Sequence, residues 1–292
     1  MEIRVLKYFL LVAREENITK AANLLHLTQP TLSRQLMQLE EELGVQLFRR
    51  SKHHIILTEE GMLLRQRAEE IVALADKTKD DLQHREGQLA GVVAVGSGEW
   101  KSSRFLAQLL TAFQRENPQV SFAIYSGNSD NIKERIERGL LDVGLLQEPV
   151  DITKYSFVRT PIREEWGVLV REDSELAARK SIGPAELAAV PLLLPERESV
   201  QNELRNWFGH YADGLHITAT GNLLYNLAEL ARNGGGSVLT LNLDCSYEGL
   251  RFIPLSPALG SNTVLVWKKM QPLSAAATAL IAFAKKYISG IM

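Results

Sequence analysis

Thr28-Gln29-Pro30-Thr31-Leu32-Ser33-Arg34-Gln35-Leu36 is the stretch on which the rest of this 292-residue chain turns. Thr28 has the hydroxyl of an N-cap, Pro30 falls in the first turn where a missing N–H costs little, and Gly44 stands where a helix would stop. The spacing predicts a helix over 28–44. Leu32, Leu36, Leu39 and Leu43 recur at i, i+4, i+7 and i+11 and form one apolar stripe for packing inward. A neighbouring face carries Thr31, Arg34, Gln35 and Gln38, rich in donors and free of acid until Glu40, Glu41 and Glu42.

That asymmetry fits a helix in the DNA major groove. Arg can pair there with guanine O6/N7 and Gln with adenine N6/N7, while carboxylates must keep away from phosphates. The segment before it supplies a partner helix, with Thr19 as its expected cap and Ile18, Ala21, Ala22 and Leu25 as its apolar face. The small Ala residues permit close approach, as in a helix-turn-helix. The turn at His26 lacks the usual Gly. Two core helices of any α protein share this spacing, so the pair alone leaves that alternative standing.

Further short motifs follow in fixed order: Asn17-Ile18-Thr19, Ala21-Ala22, Leu27-Thr28-Gln29-Pro30, Leu32-Ser33-Arg34-Gln35, Leu39-Glu40-Glu41-Glu42-Leu43-Gly44, Leu47-Phe48-Arg49-Arg50 and Leu57-Thr58-Glu59-Glu60-Gly61. Together they resemble the N-terminal signature of LysR-type transcriptional regulators, densely over about the first 65 residues and diffusely beyond. The resemblance implies an α/β protein with an N-terminal winged helix-turn-helix, a long linker helix, and a C-terminal two-lobed effector domain of periplasmic-binding-protein type. Its expected partners are double-stranded promoter DNA, a small-molecule effector, a second copy through the linker helix and a homotetramer beyond that. RNA polymerase is a further partner in the family. The residues expected at DNA are Thr28, Gln29, Pro30, Thr31, Ser33, Arg34, Gln35, Gln38, Arg49, Arg50 and Lys52.

The totals agree with a regulator more than with a general nucleic-acid coat. The formal charge is −2, and residues 1–57 hold eight Lys/Arg against six Glu, so Arg34, Arg49, Arg50 and Lys52 must act individually. A lone Cys245 forms no internal disulfide, and no Cys/His cluster has metal spacing, so a reducing compartment and no metal or cofactor are expected. Arg14-Glu15-Glu16 interrupts the N-terminal apolar run before it reaches the length of a signal-peptide core, and no run is long enough to span a membrane. The expected location is the cytoplasm.

The first domain is expected over 1–57. Residues 2–15 form its first helix, and 49–54 make a basic tip before Ile55-Ile56-Leu57, the pattern of a two-stranded wing. His53 and His54 have no partner spacing for a metal. A linker helix and hinge occupy 58–88. Glu59 and Glu60 suit the helix start, and Leu64, Ala68, Ile71, Ala75, Thr78 and Leu82 alternate by four and three like a coiled-coil seam. A second copy is the better use of such a seam; the alternative is packing on its own domain.

Residues 89–292 alternate short apolar strands with helices, the pattern of an open, mainly parallel sheet. Strands are expected at 92–95, 120–125, 141–146, 166–170, 192–194, 216–220, 238–241 and 264–267. The expected lobes are about 91–160 with 267–292, and about 161–266, crossing near Thr160 and Asn262. Gly96-Ser97-Gly98 has Lys101 where a dinucleotide fingerprint needs its third Gly, and Gly91 to Ser97 has Ser97 where a P-loop needs Lys. No GxSxG or HExxH occurs, which argues against an enzyme.

A ligand site has better support. Open α/β sheets bind ligands beyond strand carboxyl ends, where helix N-termini offer free N–H groups; 97–103, 126–129 and 220–222 meet that description. The family's cleft loop adds 196–202. The expected effector residues are Gly98, Trp100, Ser102, Ser103, Asn128, Ser129, Ser199, Val200, Gln201 and Asn222, with Trp100, Ser129 and Gln201 reaching one space. For each Ser, helix capping is an equal reading. Trp100 replaces the small hydroxyl residue common in the family, which favours an apolar or aromatic ligand portion.

Overall fold

The computed structural model describes residues 1–50, 55–83 and 89–290. The chain divides into two compact units, Met1–Gln83 and His84–Met292.

The first unit begins with α1 (Ile3–Glu15), α2 (Ile18–Leu24) and α3 (Gln29–Leu43). Asn17, rather than Thr19, caps α2: its side chain accepts the Lys20 N–H, which leaves Thr19 inside the helix. Thr28 caps α3 by accepting from the Thr31 N–H, and Gly44 closes it in the left-handed conformation at φ 69°. His26 takes φ 54° in the α2–α3 turn, a conformation that costs a non-Gly residue energy. Leu32, Leu36 and Leu39 are buried with Phe9, Val12, Ala21 and Ala22, whereas Leu43, at the end of the expected stripe, is exposed.

Strands β1 (Phe48–Arg50) and β2 (Ile55–Leu57) pair antiparallel as a wing, and its tip with Lys52, His53 and His54 lies outside the described residues. The Phe48 ring packs at a tilt against Phe9, 5.2 Å between centroids, and the Ile55 N–H donates to the Glu16 carbonyl, which fixes the wing to α1. Helix α4 (Glu59–Gln83) follows, with the Thr58 hydroxyl accepting the Gly61 N–H. Its apolar residues divide between two faces, which departs from the single seam expected. Leu64, Ala68 and Val72 pack into the unit's own core, with Lys7 tied to Asp76 at 2.6 Å. Leu63, Ile71 and Leu74 face outward. Around the helix, 68 and 72 swing progressively to one side of 64 while 63 and 74 lie on the other, which leaves Ile71 at the boundary of the packed face.

The second unit contains β3 (Gly91–Ser97), α5 (Ser102–Glu116), β4 (Val120–Ser126), α6 (Ser129–Glu137), β5 (Val143–Gln147) and the long β6 (Tyr155–Arg171). Then come α7 (Pro184–Ala188), β7 (Leu192–Pro195), α8 (Glu198–Phe208), β8 (Ile217–Gly221), α9 (Leu224–Arg232), β9 (Ser237–Leu241), β10 (Leu250–Pro254), β11 (Gly260–Lys268) and α10 (Ala275–Ser289). The strand order is β4-β3-β5-β11-β6-β9-β7-β8, with β10 on β6. The sheet is mixed rather than mainly parallel. β3 with β4 and β5, and β7 with β8 and β9, are parallel, while β6 and β11 run antiparallel to their neighbours.

β6 serves both halves of the sheet. Its first part pairs with β11 and its second with β9 and β10, so one lobe passes to the other along continuous strands. The β6–β11 register shifts between Asn262 and Val264, beside a buried 2.6 Å hydrogen bond between the Thr160 and Thr263 hydroxyls. One apolar core runs through both lobes, and a smaller one lies beneath α9.

Candidate DNA-reading face and effector cleft

On α3 the buried stripe forces the opposite side outward. Gln29, Pro30, Ser33, Arg34, Met37, Gln38 and Glu41 line a shallow groove along it. Thr31 is exposed too, whereas Ser33 and Gln35 are half-buried. Neighbouring polar groups on this helix hold one another in place: Gln29 Nε2 donates to the Ser33 hydroxyl at 2.8 Å and Gln35 Nε2 to Gln38 Oε1 at 3.2 Å. Met37 was not expected on this face; it is half-exposed, one turn beyond Ser33, and offers an apolar contact of the kind a thymine methyl takes.

Two of the three acids ending α3 are drawn away from that face. Glu40 Oε1 accepts the Leu47 and Phe48 N–H groups at 2.7 and 3.2 Å, and Glu42 pairs with the amino terminus. The first contact ties α3 to the wing strand that carries the exposed Arg49. Of Arg50 the backbone alone is described, pairing with Ile55.

In the second unit, Gly98, Trp100, Asn128, Val200 and Asn222 of the expected residues come together around a cleft with a cavity volume of about 80 Å³. Gly98 is required there, because a Cβ would collide with the Trp100 ring. The remaining expected residues lie off its wall. Ser102 is fully buried, and Ser103 shapes a turn by donating to the Gly98 carbonyl at 2.9 Å. The Ser129 hydroxyl bonds to the Gln147 backbone at 2.9 Å, and the Ser199 hydroxyl is buried. Gln201 Nε2 donates to the Pro195 carbonyl, and that side chain lines a separate depression with Leu194, Leu204 and Phe208. The expected convergence of Trp100, Ser129 and Gln201 therefore does not occur: Ser129 and Gln201 lie on helices whose turns aim them at strand carbonyls.

The helix N-termini expected to meet a ligand are filled by the chain itself. Glu164, fully buried on β6, accepts the Lys101 and Ser102 N–H groups at 3.0 and 2.9 Å and closes α5. A capping box of Asn128 and Asn131 closes α6. Glu99 Oε2 accepts the Leu224 N–H at 2.6 Å and closes α9. Carboxylates suit these positive helix ends.

Several of these contacts also join the lobes. Asn128 Nδ2 donates to Glu196 Oε1 at 3.0 Å, and Lys101 pairs with Asp244 at 3.0 Å. Arg197, only 7% exposed, donates to Asp130 Oδ2, the Gln147 carbonyl and the Pro149 carbonyl at 3.2, 3.4 and 3.1 Å. Behind it on α8, burial pushes the Glu203 carboxyl above the ordinary carboxylate range, and the charge of Arg197 opposes that shift. Sequence reasoning singled out none of Glu99, Gln147, Glu164, Trp166 and Arg197, although Glu99 and Arg197 fall within the expected stretches 97–103 and 196–202. A charged residue in a strand or loop carries no local sign that it will close a helix end 60 or more residues away.

The profile described as "Bacterial regulatory helix-turn-helix protein, lysR family" matches residues 3–62, and "LysR substrate binding domain" matches 86–289. The HTH-type transcriptional regulator BsdA of Bacillus subtilis (strain 168) is 38% identical over half of each chain. AlsR of the same organism is 25% identical over 98% of this chain and 91% of its own length. Among solved structures, full-length CbnR complexed with its target DNA matches at TM-score 0.76 and 23% identity, over 98% of this chain and 99% of that one. Free CbnR matches at TM-score 0.78. Among the described residues no helix is long and apolar enough to cross a membrane. With both of its parts matched, the chain belongs to the LysR family of DNA-binding transcriptional regulators.

Proposed function

We propose that the protein is a cytoplasmic regulator that binds a promoter site through α3 and the wing and changes that binding when a small molecule occupies the cleft. The observation that carries it is the α3 face, where Arg34, Gln38, Gln29 and Met37 stand outward together on a helix fixed from behind by Leu32, Leu36 and Leu39. Arg34 and the glutamines read bases, and Arg49, Arg50 and Lys52 hold phosphates. The CbnR structure, which contains its target DNA, supports this use of the fold.

The cleft acts by population shift. Its cross-lobe contacts hold one arrangement of the lobes, and a ligand that favours or opposes them biases the arrangement by its differential affinity. The cleft binds without catalysing: Glu99 and Glu196, the two carboxylates on its wall, are each engaged in the chain's own hydrogen bonds. The outward residues Leu63, Ile71 and Leu74 of α4 join two copies, and two such dimers form the tetramer. Sedimentation of Ile71→Glu tests that step: the parent runs as a dimer or larger and the variant as a monomer, because a carboxylate cannot be buried unpaired between helices. The main test is to recover genomic fragments on the purified protein and titrate them with and without metabolites. A common motif with ligand-dependent affinity is expected. Recovery of unrelated fragments, or affinity untouched by any metabolite that binds the protein, would contradict the reading.

A further inference from the structure

The cleft's unsatisfied chemistry is narrow. Its helix-end N–H groups are taken by Glu99 and the Asn128 box, and its buried cation, Arg197, is engaged by Asp130 and two carbonyls. Two residues of the wall carry buried donors. Trp166 Nε1 and Gln147 Nε2 are buried and have no hydrogen-bond partner among the described residues; the two residues are 2% and 5% exposed. An indole N–H can only donate, and a buried donor without an acceptor is costly, so this wall asks for an acceptor. Around them the surface is apolar, from Trp100, Val200, Leu227 and Leu239.

Charge decides which acceptor. Glu99 and Glu196 line the same cleft with neutral N–H partners, and Arg197, the cation of this wall among the described residues, is already paired with Asp130, so a carboxylate ligand would meet repulsion from the two glutamates. An ammonium would be drawn to those two carboxylates but has only donors, so it would leave the buried N–H groups of Trp166 and Gln147 without an acceptor. Resting on the reading of this cleft as the effector site, we infer that the effector is an uncharged, compact, apolar molecule with a carbonyl-type acceptor, such as an aryl ketone, amide or lactone. Its oxygen accepts from Trp166 Nε1 and Gln147 Nε2, and its hydrocarbon body packs against Trp100 and the neighbouring aliphatic side chains.

Calorimetric titration of the full-length protein with four probes that share one ring tests this: acetophenone, benzamide, benzoate and benzylamine. The neutral pair should bind at least about tenfold tighter than either ion. Trp166→Phe keeps the ring and removes the N–H, and Gln147→Met keeps the length and removes the amide. Each should weaken the neutral probes about tenfold, with the unliganded melting temperature recorded as a control on folding. Glu99→Gln should raise the affinity for benzoate about tenfold by removing the adjacent charge. Tighter binding of benzoate or benzylamine to the parent, or no binding of either neutral probe, overturns the ligand class, while the cleft itself stands if the variants alter whichever probe binds. Probe affinity indifferent to both Trp166→Phe and Gln147→Met overturns the inference and the cleft reading together.

Discussion

The α3 face and the cleft solve recognition in opposite ways. On α3 the groove-lining residues lie within 13 positions of one another, from Gln29 to Glu41, and their side chains are held mainly by neighbours on the same helix. The cleft wall is assembled from residues 98–241, and its polar groups are held across lobes by partners 48 to 125 positions away. A helix face presents a fixed pattern to a regular partner such as duplex DNA. A wall built from distant segments changes when those segments move, which is what a ligand-responsive site needs.

That contrast can be broken most forcefully on α3 itself. Leu32→Ala removes a fully buried side chain beneath the reading face and should destabilise the first unit by about 2–5 kcal/mol, whereas the half-exposed Met37→Ala should change stability by less than about 0.5 kcal/mol and act on DNA affinity instead. Chemical denaturation beside DNA titration separates them; equal stability losses would mean that the two faces are not distinct.

In the second unit the most demanding contact is Arg197. Arg197→Met keeps much of the stem but leaves the Pro149 carbonyl without this donor and Asp130 without its ion pair, at a cost of about 1–3 kcal/mol. Hydrogen exchange should rise at segments of both lobes, around Asp130 and Pro149 and around α8. Exchange raised on one side alone would show that Arg197 does not couple them.

The smallest effect is expected from Glu203. Burial raises its folded pKa, so between the ordinary carboxylate value and the raised one the folded state holds more protons than the unfolded state, and stability falls as pH climbs through that window. Glu203→Gln should therefore melt higher than the parent at neutral pH, and the advantage should vanish below the ordinary carboxylate pKa. A gain independent of pH would assign it to packing.

The same contrast explains what could be read from sequence. Thr28, Pro30 and Gly44 mark the ends of α3 by local chemistry, and the alternation of short apolar runs with helices located most strands of the second unit within a few residues. Local rules failed where a partner lay elsewhere. β6 hides an 11-residue stretch ahead of Trp166 because Arg163-Glu164-Glu165 look solvated, yet Glu164 is fully buried on the end of α5. The seam on α4 was read as one stripe because nothing in its spacing shows that α1 claims Leu64 and Ala68. Gln201 and Ser129 looked like cleft residues from their loops, but the structure sends both side chains to backbone atoms.

Base reading is proposed to reside in the exposed face of α3. It is tested most directly by titrating parent and Arg34→Ala proteins against a recovered operator and a scrambled duplex of the same length, at fixed salt. Loss of a base contact predicts that operator affinity falls by about 1–3 kcal/mol while scrambled-duplex affinity falls much less, so that the ratio collapses. Equal weakening on both duplexes would make Arg34 a phosphate contact, and no change on either would place the reading surface elsewhere.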